Sequence, residues 1–290
     1  MKVKMIDTCS RLAHLAEDMR IGNDFILLDS SVPDKSAFNC PYKLDVLVGS
    51  LIVRGSVKGL INLDEYQISA PCLITVLPGQ ILQLVDYSDD FSVVHVIYSK
   101  EFINTLSKFF NEKFIYHLDF HNNPVLELTG EESDSFANYY SKVRKALSDL
   151  DNPYRTEVIT HITMLFFYEV SYRYHQTSER KPKTSRERLV DNFLNLVQAN
   201  HAEHRLLDFY ADKLCITPKY LTTLVKKQTG TSATDWIEKY VILEAKAMLK
   251  STNLTIQQIS EELNFSSQTF FGKFFRRLAG VSPSDYRKNG

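Results

Sequence analysis

Short apolar runs separated by Gly, Pro and Asp dominate the first third of the chain after residue 24. Leu44, Val46 and Val48 alternate with other residues, as in a strand that buries one face. The predicted strands lie at 25–28, 44–53, 60–63, 73–77, 81–85 and 93–98. Short strands at this close spacing are typical of an antiparallel barrel or sandwich.

Helical periodicity replaces this pattern after residue 98. Ser99, Thr129 and Pro153 are each placed to begin a helix. The two helices predicted within 130–175 are rich in large apolar residues, so they either pack on the barrel or form a dimer seam. The side chains in question are Tyr139, Tyr140, Phe166, Phe167 and Tyr168.

A polar segment containing Pro182 is the predicted linker, at 176–185. It separates an N-terminal domain, 1–175, from a domain at 186–290 that is helical throughout. The predicted fold class is therefore α+β, with an antiparallel β-barrel and flanking helices followed by an all-α domain.

The last 85 residues contain one unit twice, at an offset of 49 to 50 residues. In each copy a short helix, a tight polar turn and a basic amphipathic helix follow one another, which is the pattern of a helix-turn-helix. The first copy spans about 206–229 and the second about 255–279. Between them, 232–250 predicts one helix roughly 28 Å long. Since successive major-groove faces lie about 34 Å apart, the pair fits one DNA duplex at two adjacent grooves.

In the first copy, Thr217 is the predicted cap of the second helix. Its core positions are predicted to be Tyr220, Leu221, Leu224 and Val225. The N-terminal end of such a helix lies against base edges, and its C-terminal end lies nearer the backbone. The predicted base contacts are Lys219, Thr222 and Thr223, and the predicted phosphate contacts are Thr217, Lys226 and Lys227. The alternative for each is a solvated helix face.

In the second copy, Ser266 is the predicted cap. The predicted core positions are Phe270, Phe271, Phe274 and Phe275; a stacking platform for single-stranded nucleic acid is the alternative, but their register favours the core. The predicted base contacts are Ser267, Gln268, Thr269 and Lys273, and the predicted phosphate contacts are Arg276 and Arg277. Gln pairs with adenine and Lys donates to guanine acceptors. Gly272 falls inside the helix, which suits either close approach to DNA or packing against another helix.

Charge is unevenly distributed along the chain. Residues 1–180 carry 17 Lys and Arg against 24 Asp and Glu, a net −7, whereas 181–290 carry 17 against 11, a net +6. A basic C-terminal third fits a phosphate-binding surface. With no signal peptide and no apolar run long enough for a membrane span, we expect a cytoplasmic protein that does not insert in a membrane. In that reducing compartment the cysteines are expected to be buried free thiols, at Cys9, Cys40, Cys72 and Cys215.

The sequence contains no recognisable motif for catalysis or metal binding. It contains no phosphate loop, no GxSxG and no metal-ligand spacing. His95 stands alone among the strands, with His117 and His121 after them, so His95 is expected in the core or in a hydrogen bond. We expect no enzymatic activity, no cofactor and no metal.

At the duplicated units the chain resembles the AraC/XylS family of bacterial transcription regulators. The resemblance covers about 186–290 and rests on YADKL at 210–214, TPKYL at 217–221, KKQTG at 226–230, AKAML at 245–249, ISEELNF at 259–265 and GVSPSDYR at 280–287. The family often has Ala where Ser260 stands and Gly where Asn264 stands; Asn tolerates a left-handed turn.

This resemblance implies two helix-turn-helix subdomains on consecutive major grooves of double-stranded DNA, and control of transcription initiation with RNA polymerase as a partner. It also implies a cupin-like barrel ahead of them that binds a small-molecule effector or dimerises. The leading hypothesis is a DNA-binding activator and homodimer with a sensing barrel. Its alternatives are a regulator whose barrel only dimerises, and a ligand-binding or enzymatic barrel with a helical protein-interaction tail.

Overall fold

The computed structural model describes residues 19–29, 40–109, 123–178 and 184–288, which divide into two compact units. The first unit comprises Met1–Asn39 and Leu44–Arg180, and the second comprises Cys40–Lys43 and Lys181–Gly290. A short segment from the N-terminal part of the sequence therefore belongs to the second unit. Four features of the sequence lie outside the described residues: Cys9, His117, His121 and the 179–183 part of the predicted linker.

Two antiparallel sheets build the first unit. The larger has the strand order β1-β2-β9-β4-β7-β10, and in the smaller β5 lies between β8 and β6. The strands are β1 (Arg20–Ile21), β2 (Phe25–Asp29), β3 (Tyr42–Lys43, in the second unit), β4 (Leu47–Arg54), β5 (Ser56–Ile61), β6 (Asp64–Ser69), β7 (Cys72–Val76), β8 (Ile81–Tyr87), β9 (Ser92–Tyr98) and β10 (Val125–Glu127).

The larger sheet buries both of its faces. Along β9, Val96 and Tyr98 belong to a cluster shared with helices, whereas Val93 and Ile97 belong to clusters shared with the smaller sheet. This alternation follows from the two-residue period of a strand. It explains why these strands are apolar nearly throughout.

Several strands differ from their predicted bounds, and β1, β3, β6 and β10 were not predicted. β4 begins at Leu47, not Leu44, and the predicted strand at 60–63 ends at Ile61, where Asn62 turns the chain with φ 56° and its Oδ1 accepts from Ile81 N at 3.0 Å. β6 was missed because four of the six residues in DEYQIS are polar and it lies at the edge of the smaller sheet, where it pairs with β5.

In the described residues of the first unit the helices are α1 (Lys100–Ser107), α2 (Gly130–Ser148) and α3 (Arg155–Ser178). Ser99 and Thr129 cap α1 and α2, as predicted. The predicted dimer seam is wrong in most of its residues, because Tyr139, Tyr140, Phe166 and Phe167 are buried in the cluster that α2 and α3 form with the larger sheet. Of that set only Tyr168 is exposed.

Helices make up nearly all of the second unit. They are α4 (Ser185–Asn200), α5 (Leu207–Lys213), α6 (Pro218–Thr229), α7 (Ala233–Ser251), α8 (Ile256–Glu262), α9 (Gln268–Ala279) and α10 (Pro283–Lys288). Phe193 of α4 meets Tyr210 of α5 edge to face, with ring centroids 5.8 Å apart. The C-terminal half of α7 packs with α8 and α9 through Ala245 and Leu249. The long helix is therefore part of the core of this unit.

The remaining expectations concern cysteines, histidine and membranes. Cys72 is buried, but Cys40 is half-buried and Cys215 is exposed, so the prediction of burial fails at these two residues. His95 Nδ1 lies 2.7 Å from Ser50 Oγ, as a hydrogen-bonded histidine, and burial lowers the pKa of His95 to about 4. In the described ranges no group of three or more His, Cys, Asp or Glu is placed to hold a metal ion. None of the helices in those ranges is both long and apolar enough to cross a membrane.

Candidate nucleic-acid interface

The turn between α5 and α6 places the second helix of the first copy. Cys215 adopts the left-handed conformation at φ 54°, and Ile216 N donates to Ala211 O at 3.0 Å. Thr217 then caps α6, since its Oγ1 accepts from Tyr220 N at 3.2 Å. Gly230 ends the helix at φ 74°, a conformation that favours glycine.

The second copy repeats this geometry with the same backbone bonds. Asn264 is left-handed at φ 52°, and Phe265 N donates to Ser260 O at 2.8 Å. The cap is Ser267, whose Oγ accepts from Phe270 N at 3.3 Å, so the prediction of Ser266 is wrong. Ser266 is the extra residue of the second copy, inserted between the turn and the cap.

Apolar side chains on one face hold each of these helices against its unit. Leu221, Leu224 and Val225 are buried on α6, and Phe271 and Phe275 on α9. Tyr220 and Phe270 were predicted in the core but are 44% and 62% exposed. They lie at the edge of the apolar stripe, where helical spacing alone does not separate a buried position from an exposed one.

Polar and basic side chains cover the outer faces of both helices. Exposed residues among the sequence-predicted contacts are Thr217, Lys219, Thr223, Lys226, Lys227, Ser267, Gln268, Thr269, Lys273, Arg276 and Arg277, and Thr222 is half-buried. The hydroxyls of Thr222 and Thr223 donate to Pro218 O and Lys219 O, both at 2.9 Å. With their protons engaged, these hydroxyls are left with lone pairs to offer a base.

Gly272 lies on α9 where an added Cβ would meet nothing within 4 Å. Packing against a neighbouring helix is therefore not the reason for glycine there. Glycine inside a helix costs about 1 kcal/mol relative to alanine. Close approach of the helix to DNA is the other explanation that the sequence offers for glycine at this position.

Sequence reasoning missed a buried ion cluster on α7. Glu244 accepts from His201 Nε2 at 2.5 Å and also pairs with Lys43 Nζ. Burial alone would raise the pKa of Glu244, but the hydrogen bond from His201 and the charges of Lys43 and His201 lower it to about 2. Lys43 belongs to the four-residue segment that joins this unit from far away in sequence, so no local spacing could have revealed the pair.

Residues 210–289 match a family model described as a helix-turn-helix domain. Over 115 residues the chain is 28% identical to the HTH-type transcriptional activator RhaR of Escherichia coli strain K12, a match that covers 40% of this chain and 41% of RhaR. Over 100 residues it is 28% identical to YtdP of Bacillus subtilis strain 168, an uncharacterized HTH-type transcriptional regulator, covering 34% of this chain and 13% of YtdP. The chain thus spans less than half the length of these curated relatives.

Among solved structures, the chain is similar to wild-type ToxT from Vibrio cholerae strain SCE256, crystallised with an unsaturated fatty acid. The identity is 18% and the TM-score 0.46, over 93% of this chain and 97% of ToxT. The family match covers both turns, both of the helices that follow them and α7. The C-terminal region of this chain is an AraC-type helix-turn-helix domain.

Proposed function

We propose that this chain is a sequence-specific, DNA-binding transcription regulator that activates transcription. The observation that carries the proposal is the duplication itself. Two helices with the same cap, the same turn and the same glycine ending both present basic and polar side chains to solvent. Such helices enter successive major grooves of one duplex.

Within this proposal, residues 186–290 form the DNA-binding domain and α7 acts as the rod between its two heads. Lys219, Thr222 and Thr223 of α6, and Gln268, Thr269 and Lys273 of α9, contact bases. Lys226, Lys227 and Arg276 contact phosphates. Thr217 and Ser267 already cap their helices, and the exposed N-termini they define favour a phosphate oxygen nearby. The exposed rings of Tyr220 and Phe270 join this surface and offer apolar contact to thymine methyl groups.

The proposed partners follow from the resemblance to activators. They are double-stranded DNA, RNA polymerase and, for the first unit, a small-molecule effector held by a cupin-like barrel. The protein would act in the cytoplasm, by binding and not by catalysis. Thermal unfolding in the presence of sugars, organic acids and other small metabolites tests the effector. A rise in Tm with one class supports it, and no shift with any class favours a barrel that only dimerises.

Dimerisation is supported by a different surface from the one predicted. Exposed Tyr154, immediately before α3, and the exposed positions Val158, Leu165, Tyr168 and Tyr172 on the helix follow a spacing of three and four residues, with exposed His161 completing the series. This is the heptad spacing of a coiled-coil seam. We propose that α3 of one molecule packs along α3 of a second molecule.

Charge favours an antiparallel arrangement of that pair. Half-buried Arg155, whose Nη1 donates to Leu147 O at 3.1 Å, lies at the start of the stripe, and exposed Glu169 lies near its end; each comes one position after a seam residue. In an antiparallel pair each Arg155 faces Glu169 of the other molecule, and the symmetry forms this contact twice. In a parallel pair the two groups stay about 21 Å apart along the helix.

In vitro selection from random duplexes tests the main proposal, followed by footprinting and titration of the selected site. We expect protection over two helical turns per protein chain. The logarithm of the affinity should fall linearly with the logarithm of the salt concentration, with a slope of about −0.9 per phosphate contact.

Lys219→Ala and Gln268→Ala should each lose about 1–3 kcal/mol on the selected site and far less on random DNA. Lys142→Ala, at an exposed position of α2 in the first unit, is the matched control. Protection of one turn only, or equal losses on both DNAs, would contradict the proposal.

A further inference from the structure

The loop ahead of the first helix-turn-helix contacts the turn of the second. The guanidinium carbon of Arg205 lies 3.8 Å from the centroid of the Phe265 ring, and its Nη2 donates to Asn264 O. In the opposite direction, Asn264 Nδ2 donates to Glu203 O at 3.0 Å. Ala202 also packs against the core of the second copy. Three of the four residues at 202–205 thus contact the second copy, namely Ala202, Glu203 and Arg205.

The same loop is fixed to the first copy. The hydroxyl of Tyr210 donates to His204 O at 2.6 Å, and the rings of His204 and Phe209 stack with centroids 3.7 Å apart. Tyr210 is fully buried in the first copy. Residues 202–205 therefore form a strut, attached at one end to the first copy and at the other to the second, in addition to the connection through α7.

The residue at position 264 contributes to this strut in a way that glycine would not. The resemblance noted above leads one to expect glycine there, and glycine adopts φ 52° with less strain than asparagine. The side-chain amide of Asn264 offsets that strain with a hydrogen bond across to Glu203 O. Cys215, which holds the matching left-handed position in the first turn, is exposed.

We infer that Arg205 and Asn264 set the spacing and mutual orientation of the two DNA-contacting helices, α6 and α9. This inference rests on the proposed function, because it concerns how two heads engage one duplex. Two linked heads gain affinity only when their geometry lets both bind together. A strut that holds them in register removes part of the ordering cost of binding. Arg205 and Asn264 are thus positioning residues, and no contact of theirs with DNA is required.

The test measures affinity against spacing in the full-length protein. The variants are Asn264→Gly, which keeps the backbone conformation and removes the amide, and Arg205→Gln, which removes the cation over Phe265. Cys215→Gly is the matched control, since it makes the same kind of backbone change in the turn that lacks the strut. Each protein is titrated with the selected operator, with each half-site alone, and with operators carrying one base pair more or fewer between the half-sites. One base pair displaces the second half-site by about 3.4 Å and rotates it by about 35°.

We expect both variants to lose about three- to tenfold in affinity for the intact operator, with half-site affinities within about twofold of the wild type. The penalty for a one-base-pair insertion or deletion should also shrink in both variants, and Cys215→Gly should match the wild type in every titration. An unchanged spacing penalty would overturn the inference. So would an equal loss on half-sites, because damage within one head lowers half-site affinity as well. A wild-type protein that binds no selected duplex would instead refute the proposed function, so the two failures are distinct.

Discussion

Arg277 Nη2 donates to Glu238 Oε1 at 2.7 Å, which joins the last turn of α9 to the first half of α7. The hydrogen bond and the charge of Glu238 raise the pKa of Arg277. The Arg277 side chain is exposed and that of Glu238 is half-buried, so solvent screens the pair and it adds little to folding stability. The pair matters for DNA binding. The sequence predicted that Arg277 contacts a phosphate, whereas in the structure its guanidinium pairs with the carboxylate of Glu238.

Replacing Glu238 by Gln is therefore expected to tighten DNA binding. The change frees Arg277 for a phosphate and removes one negative charge beside the duplex. The salt dependence should become steeper by about 0.9 in slope, the value for one additional phosphate contact. Anisotropy titrations at several salt concentrations measure this, with Glu131→Gln on α2, in the first unit, as a control for a lost charge outside the proposed DNA-binding domain. Weaker binding would show that Glu238 positions Arg277 and does not compete for it.

The variant Gly272→Ala shows separately what this position contributes to the free energy of unfolding and to DNA affinity. Because the added Cβ meets nothing within 4 Å in the free protein, the variant should gain about 0.5–1 kcal/mol in the free energy of unfolding. If α9 approaches DNA closely there, affinity for the selected operator should fall in the same variant. Gly130→Ala, in the first turn of α2 where an added Cβ is also unobstructed, is the control and should leave DNA affinity unchanged. A variant that is more stable and binds equally well would remove Gly272 from the interface.

Local patterns in the sequence predicted the helices of the second unit well, because caps and apolar spacing act within a few residues. Thr217 caps α6 as predicted. The same patterns misplaced Tyr220 and Phe270, since the edge of an apolar stripe depends on what packs beside it. They could not reveal contacts between distant residues, such as Arg205 with Asn264, because neither residue carries a periodic signal.

The exposed rings of Phe270 and Tyr220 should distinguish thymine from uracil. Replacing operator thymines by deoxyuridine removes only the 5-methyl groups, which an apolar side chain contacts in the major groove. We expect wild-type affinity to fall about fourfold at the thymine each ring contacts, since burying one methyl group is worth about 0.8 kcal/mol. In Phe270→Ala or Tyr220→Ala the corresponding deoxyuridine should cause no further loss. Additive losses from the protein and DNA changes would show that the rings do not touch methyl groups.

Glu244 should make stability depend on pH in the acidic range. Its pKa is about 2 in the folded protein against an ordinary 4.5, so the stabilisation is fully present above about 4.5 and is lost as the pH falls toward 2. At pH 7 we expect Glu244→Gln to lower the free energy of unfolding by about 3 kcal/mol, since it leaves Lys43 and His201 without their carboxylate. Urea unfolding at several pH values measures the difference between wild type and variant, which should shrink below pH 4.5. Glu238→Gln, at a more accessible carboxylate, should show only a small difference at pH 7.

The exposed stripe on α3 predicts which substitutions weaken the dimer and which leave it unchanged. Leu165→Lys places a charge in the middle of the proposed seam, so the dissociation constant of the dimer should rise more than about tenfold. Thr156→Lys, exposed on α3 but outside the stripe, should leave it unchanged. Sedimentation over a range of protein concentrations measures both.

Exchanging the charges at positions 155 and 169 tests whether the α3 helices of the two molecules run antiparallel. Arg155→Glu and Glu169→Arg should each weaken the dimer, because each change sets two like charges opposite one another in the antiparallel pair. The double variant should restore the dimer, since opposite charges then face each other again. A parallel pair keeps positions 155 and 169 about 21 Å apart, so the double variant would then show the sum of the single effects. Wild-type protein that stays monomeric at high micromolar concentration would contradict the seam itself and leave DNA binding by the second unit unaffected.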